Sequence, residues 1–280
     1  MEGFSSALRR NKGDKTVKKT NLSNDLTTPG TTDAHIWERA NTPTDSTTSG
    51  FDLHSIDDEL RTISIVEALN DTGICILDNF FSKEQSVKIA KVTKFLYQNI
   101  PGLFTEPLSM NPPSKKFRFD KICWVKGTEN FGECYAEVNR AFTKLIKDIL
   151  EDYNCTNMDV KTGKDRSKKQ AKKRLKITHR SKIQISCFPK NTGGYLPHID
   201  NPKDNGRILT LVYYPNEKYD IEECGGLSRF YVNDKTKMMN VEPVQNRLVI
   251  YWSDKRVITE TLPTYRDVFS LSCWFFGAMK

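Results

Sequence analysis

No stretch of this chain gathers the roughly 20 consecutive apolar residues that a membrane helix needs, so no membrane association is expected. The opening MEGFSSALRRNKGDK has no apolar core of signal-peptide length, which argues against secretion and for an intracellular protein, cytoplasmic or nuclear. Seven cysteines, Cys75, Cys123, Cys134, Cys155, Cys187, Cys224 and Cys273, are odd in number, scattered, and form no Cys-x-x-Cys pair. Neither a zinc framework nor a disulfide scaffold is suggested, and buried reduced thiols are expected. Gly193-Gly194 and Gly225-Gly226 are not followed by a helix start, so they read as turns and not as a phosphate cradle. Internal repeats are absent. Histidine is scarce: His35, His54, His179 and His198 are the four, and none follows His198.

Charge is present but uneven. The chain carries +8, yet the stretch Lys161–Lys182 holds eleven cations opposed only by Asp165. That stretch carries +10, leaving the remainder at −2. Three readings stand beside each other. A solvated loop is the usual fate of a like-charge block. Nuclear import would use the cluster Lys168, Lys169, Lys172, Lys173 and Arg174. An acidic partner or nucleic acid would be held by nonspecific charge alone, because no aromatic residue is interleaved to stack on bases. The solvated loop is favoured slightly over nuclear import.

Residues 1–52 are rich in Thr, Ser, Asn, Asp and Lys with only isolated apolar residues, and cannot bury enough surface to offset their ordering entropy. They read as a disordered tail before one domain over 53–280. Ile56, Leu60, Ile63 and Val66–Leu69 recur at helical spacing behind Asp57-Asp58-Glu59, which places anions in a first turn. Ile74–Leu77 reads as a buried strand. Ser82 predicts an N-cap, with Gln85 completing a capping box, for a helix to about Gln98. Pro101–Lys116 is a proline-rich loop, and Phe117–Val125 a strand. A helix over about Cys134–Tyr153 places Val138, Phe142, Leu145, Ile146, Ile149 and Leu150 on one stripe. Beyond Lys182 the pattern is β: Ile183–Phe188, Arg207–Tyr214, Leu227–Tyr231, Leu248–Tyr251 and Val268–Phe276. Helices followed by many short strands predict a mainly β fold with supporting helices (α+β), a double-stranded β-helix or jelly roll.

Within that frame, His198-Ile199-Asp200 is two thirds of a 2-His-1-carboxylate iron site, whose third member is ordinarily a later histidine. Several ordered blocks surround it. Thr72-Gly73-Ile74-Cys75-Ile76-Leu77-Asp78-Asn79-Phe80 and Arg118-Phe119-Asp120-Lys121-Ile122-Cys123-Trp124-Val125-Lys126-Gly127 precede Cys187–Tyr195 and His198–Pro202. Arg207–Tyr214, Gly225-Gly226-Leu227-Ser228-Arg229 and Tyr251-Trp252-Ser253-Asp254-Lys255-Arg256 follow in order. From about residue 56 to Phe276 the chain resembles the Fe(II)- and 2-oxoglutarate-dependent prolyl hydroxylases, specifically the oxygen-sensing, hypoxia-inducible-factor type.

The resemblance implies roles. His198 and Asp200 match the first two iron ligands, and continuing the alignment through Glu260 and Pro263 puts Thr259 at the third. The arginine that grips the 2-oxoglutarate carboxylate falls at Val268. Tyr214 matches a tyrosine assisting that grip, and Phe188 stands where the family has a tyrosine hydroxyl. Fe(II), 2-oxoglutarate and ascorbate are the implied cofactors, and a proline-containing peptide or protein the implied partner. The Cys/His zinc cluster that opens some relatives has no counterpart before Cys75.

A threonine hydroxyl is a neutral, weakly basic oxygen that does not replace imidazole. Losing two charge-assisted bonds of roughly 1.5–3 kcal/mol each removes about 3–6 kcal/mol, on the order of a hundred- to ten-thousand-fold in affinity. Three rescues come into view. Arg266 could swing inward, Glu260 adjoins Thr259 but should face the opposite side, and His179 lies far along the chain. Two hypotheses remain. One is a catalytically impaired oxygenase fold acting as a binding or regulatory module, with His198 and Asp200 either hydrogen-bonded to each other or retaining residual metal affinity. The other is a working peptidyl-proline 4-hydroxylase. Tyr195, Tyr213 and Tyr214 are expected to be core aromatics first.

Overall fold

The computed structural model describes residues 51–52, 58–107, 117–156, 174–232 and 237–279. The expected tail lies outside these residues except for Phe51–Asp52, a short strand β1 that pairs in parallel with β2. Also outside are Lys168, Lys169, Lys172 and Lys173, and residues 108–116 of the proline-rich loop.

Alternation builds the larger sheet. Successive strand residues point to opposite faces, so a strand buried on both sides carries two different sets. In β7 (Arg207–Tyr214) and β12 (Val268–Met279), Leu209, Leu211, Tyr213, Leu271, Cys273 and Phe275 belong to the hydrophobic core. Their neighbours Val212, Tyr214, Val268, Ser270, Ser272 and Trp274 line a cavity on the opposite face. The strand order is β1, β2 (Ile74–Asp78), β10 (Arg247–Trp252), β7, β12, β5 (Ile183–Phe188), β3 (Lys121–Val125), with β4 (Leu175–Arg180) also on β12. A second sheet runs β6 (Tyr195–His198), β11 (Ile258–Thr261), β8 (Ser228–Val232), β9 (Lys237–Val241). Residues of both sheets line the one cavity, the jelly-roll arrangement expected.

Helices cover the core face. In α1 (Asp58–Asp71), Ile65, Val66 and Leu69 are buried, and Leu69 accepts a hydrogen bond at its carbonyl from the Trp252 indole at 2.7 Å. In α2 (Lys83–Asn99), Ser82 is the N-cap, and both bonds of its capping box with Gln85 form, at 3.3 Å each. In α3 (Glu133–Thr156), Val138, Phe142, Leu145, Ile146 and Ile149 are buried as one stripe. A single helical turn, α4 (Ile221–Cys224), precedes the Gly225-Gly226 turn.

The basic stretch is not wholly a loop. Its end, Leu175–Arg180, is β4, which pairs antiparallel with Phe275–Met279. Leu175 is buried and Ile177 packs on the core, while Lys176 projects outward, so charged residues ride an otherwise ordinary strand. Phe117–Val125 is also shorter as a ladder than expected. Regular pairing with β5 begins at Lys121, because Arg118 bridges instead to Tyr195 across the cavity entrance. Among the described residues no helix is long and apolar enough to cross a membrane.

Candidate functional site

The cavity has a volume of about 520 Å³. His198 ends β6, and Thr259 on β11 is its directly opposed partner. Opposed residues on antiparallel strands carry their Cβ atoms about 4.5–5.5 Å apart on one face, so Thr259 stands beside His198. Gly194 makes this approach feasible. It adopts φ +76°, and a Cβ there would collide with the Thr261 carbonyl.

Three neutral donors converge on Asp200. The Thr210 hydroxyl at 2.6 Å, the Tyr251 hydroxyl at 2.9 Å and the Trp274 indole at 3.1 Å all donate to Oδ2. The second oxygen faces His198 Nε2 at 3.7 Å, too far for a hydrogen bond. The expected bond between His198 and Asp200 is therefore not formed. His198 Nδ1 lies 2.8 Å from the Leu196 carbonyl, and a carbonyl only accepts, so Nδ1 carries the proton. Burial depresses the His198 pKa, with Asp200 opposing it, which favours neutral imidazole. Nε2 and Oδ1 thus present lone pairs to each other.

Two cation–aromatic stacks flank this pair. The Arg118 guanidinium lies 4.7 Å from the Tyr195 ring centroid, and Tyr195 stacks on His198 at 3.6 Å. Arg118 is fixed by both oxygens of Asp120 and by Gln184. On the other side Arg207 sits 4.5 Å over Trp274, which tilts against half-exposed Trp124. Arg207 also donates to the Asp200 carbonyl at 3.2 Å. Tyr195 is accordingly a cavity residue and not a core one, whereas Tyr213 is core and fully buried. Sequence reasoning missed Thr210, Tyr251, Trp274 and the two arginines as a set. Their only sequence signal was the strand parity that puts 210, 212 and 214 on one face, and likewise 268, 270, 272 and 274.

At the other end, Val268 pairs with Phe188 at the β12–β5 edge, and both are buried cavity residues. Tyr214 donates to the Ser228 hydroxyl at 2.9 Å, and burial pushes its phenol up to about 12. Gly226, at φ +73°, abuts Val268 so closely that a Cβ would lie 3.1 Å from its methyl. Arg266 turns outward and pairs with Glu223 at 2.7 Å on the surface. Glu260 faces away from Thr259, accepting from Arg229 at 3.1 Å and Tyr231 at 2.7 Å. His179 stacks on Phe276 at 4.6 Å and does not line the cavity. Arg174, of the nuclear-import cluster, is exposed.

The double sheet enclosing this cavity is that of the 2-oxoglutarate/Fe(II) oxygenase class, and the model of the 2OG-Fe(II) oxygenase superfamily matches residues 183–276. Mouse prolyl hydroxylase EGLN3 is 30% identical over 218 residues, covering 76% of this chain and 82% of that protein. Human Egl nine homolog 1 is 31% identical over 217 residues, 76% of this chain and 46% of that protein. The chain thus spans about half the length of the Egl nine homolog 1 proteins it matches. A prolyl hydroxylase from Trichoplax adhaerens, solved with a hypoxia inducible factor oxygen degradation domain peptide fragment, superposes with TM-score 0.65 at 29% identity. That match covers 78% of this chain and 90% of the other. A Pseudomonas putida prolyl-4-hydroxylase shares the fold at TM-score 0.61 and 20% identity, covering 78% of this chain and 99% of its own. The chain belongs to the EGLN family of prolyl hydroxylases.

Proposed function

We propose that this chain is a prolyl-hydroxylase-fold binding or regulatory module that holds an extended proline-containing peptide at the cavity mouth and does not couple it to 2-oxoglutarate turnover. The observation that carries this reading is the wall around Val268. Its cavity neighbours Phe188, Tyr214, Ser228 and Phe269 are all uncharged, and Arg266 is engaged on the surface. The described cations lining the cavity are Arg118, engaged by Asp120 and Gln184, and Arg207, which donates to the Asp200 carbonyl. A dicarboxylate entering here would give up hydration at the Val268 end and gain no cation there.

The donor set gives further support. An Fe(II) facial triad draws on two imidazoles and a carboxylate. The residues here supply one imidazole, one carboxylate and the Thr259 hydroxyl, a set that does not fit. The peptide half of the reading draws on the family and on the Trichoplax relative's bound fragment. Half-exposed Trp124, which lines the cavity, offers an apolar surface suited to a proline-containing strand.

With Fe(II), ascorbate, 2-oxoglutarate and a proline-containing peptide, succinate release is expected at the level of an Asp200→Ala control. The double change Thr259→His and Val268→Arg is expected to raise it above that level. Turnover by the unaltered chain above the control overturns the reading.

One observation favours the second reading, an active peptidyl-proline 4-dioxygenase. His198 Nε2 and Asp200 Oδ1 face each other with unshared lone pairs at 3.7 Å, a seat for a cation. Micromolar iron or manganese binding that disappears in His198→Ala would support it.

A further inference from the structure

The seat between His198 and Asp200 is rich in acceptors. All three bonds that fix the Asp200 carboxylate go to Oδ2. Oδ1 is left facing His198 Nε2 at 3.7 Å, and Nε2 carries a lone pair because the ring proton sits on Nδ1, bonded to the Leu196 carbonyl. Thr259, directly opposite His198 across the β6–β11 pair, brings a hydroxyl with two lone pairs to the same cavity. The Asp200 side chain is only 7% exposed, so its charge is largely shielded from water.

A hydroxyl in place of a second imidazole spoils this seat for Fe(II), which draws on stronger ligands. It does not spoil it for an ammonium group. An ammonium carries its own charge and three N–H donors, and a neutral hydroxyl accepts a hydrogen bond readily. At the usual donor–acceptor distance of about 2.7–3.2 Å, one nitrogen reaches both Oδ1 and Nε2 across the gap between them. The balance of charge agrees. Glu106, Asp120 and Asp200 line the cavity against Arg118 and Arg207, three anions to two cations, and Arg118 is matched by both oxygens of Asp120. Around Val268 the lining is uncharged, and Val212, Phe188 and Phe269 offer carbon to an alkyl tail.

We propose that the cavity binds a primary alkylammonium ion, its head hydrogen-bonded to Asp200 Oδ1, His198 Nε2 and the Thr259 hydroxyl and its tail lying along Val212 toward Val268. The proposal rests on the reading that the donor set does not fit Fe(II), and it names the cation taken instead.

Pentylammonium, methylammonium, pentanol and pentanoate are titrated calorimetrically into the full chain at neutral pH, with manganese titrated separately and succinate release measured as above. Pentylammonium is expected to bind at least about tenfold more tightly than pentanol, the scale of one hydrogen bond to a charged group, and pentanoate more weakly still. Methylammonium should bind at least about tenfold less tightly than pentylammonium, because each methylene that the tail buries contributes roughly threefold. Asp200→Asn, which keeps an oxygen for Thr210, Tyr251 and Trp274, should weaken pentylammonium about ten- to a hundredfold, and Thr259→Val about five- to tenfold. Circular dichroism establishes folding, and the four probes with Thr259→Val carry the test if Asp200→Asn does not fold. Absence of pentylammonium binding, equal binding of pentanol, pentanoate or methylammonium, indifference to the substitutions, or displacement by micromolar manganese each overturns the proposal. Succinate from the unaltered chain above the Asp200→Ala control overturns the proposed function as well; its absence confines the failure to the ammonium site.

Discussion

The Asp200 carboxylate owes its position to side chains on three strands of the larger sheet. Thr210 comes from β7, Tyr251 from β10 and Trp274 from β12, and all three donate to the same oxygen. These bonds are internal, so they hold the carboxylate whether or not a cation is present. A hydrogen bond to a charged group contributes about 1.5–3 kcal/mol, and Tyr251 is buried, so water does not readily replace its hydroxyl. Tyr251→Phe is expected to destabilise the fold by about 1.5–3 kcal/mol in urea denaturation, with the aromatic packing against Phe230 kept. A loss under about 0.5 kcal/mol would mean that Thr210 and Trp274 already satisfy the charge. The same geometry predicts that a chelator leaves the urea midpoint of the unaltered chain unchanged. A metal contributing to the folded state would instead shift the midpoint by mass action.

At the scale of elements, local signals were legible wherever they were self-contained. Ser82 and Gln85 sit three residues apart before an apolar-periodic run, and the capping box forms as read. Ser82→Ala is expected to cost about 1 kcal/mol, and thermal unfolding of the variant checks it. The strands Ile183–Phe188 and Arg207–Tyr214 have the bounds read from the sequence. What escaped was edge structure. In Leu175–Arg180 the outward residues are basic, and net charge obscured the alternation of Leu175 and Ile177 with Lys176 and Thr178. Lysine on an edge is itself a device against unwanted pairing, so the same residues that hid the strand suit its place. Strand β9, Lys-Met-Met-Asn-Val, lacks the β-branched density that marks a strand and gains its order by pairing with β8. The candidate site divides the same way. His198 and Asp200 were visible as a spacing motif. Thr259 and Val268 came from alignment, and the structure places Thr259 opposite His198 and Val268 in the apolar wall. The partners of Asp200 lie 10, 51 and 74 residues away, separations that no local pattern reports.

Across the whole molecule, burial of ionisable groups sets an alkaline limit to stability. All seven cysteines are free, and only Cys155 is exposed. Burial pushes the Cys75 thiol up to about 12, and those of Cys123, Cys134 and Cys273 to about 11. The Tyr214 phenol, buried beside Ser228, is likewise pushed up to about 12. In the unfolded chain these groups ionise near their ordinary values, 9.0 for the thiols and 10.0 for the phenol. Above those values the unfolded state has released protons that the folded state still binds, so stability falls as pH rises. The contribution is intact below about pH 9 and is lost progressively between about 9 and 12. Urea midpoints are therefore expected to hold level from neutrality to the thiol range and then decline. Under native neutral conditions a chromogenic disulfide reagent should label one thiol of the seven promptly, and the other six only after unfolding. Prompt labelling of several thiols would show that the sheet and its helices open far more readily than such a core allows, and a midpoint still level at the raised thiol values of about 11 would show that burial of these groups does not set the limit. Because the residues outside the +10 stretch together carry only −2, added salt should move this alkaline transition little. A strong salt dependence would point instead to charge repulsion as its cause.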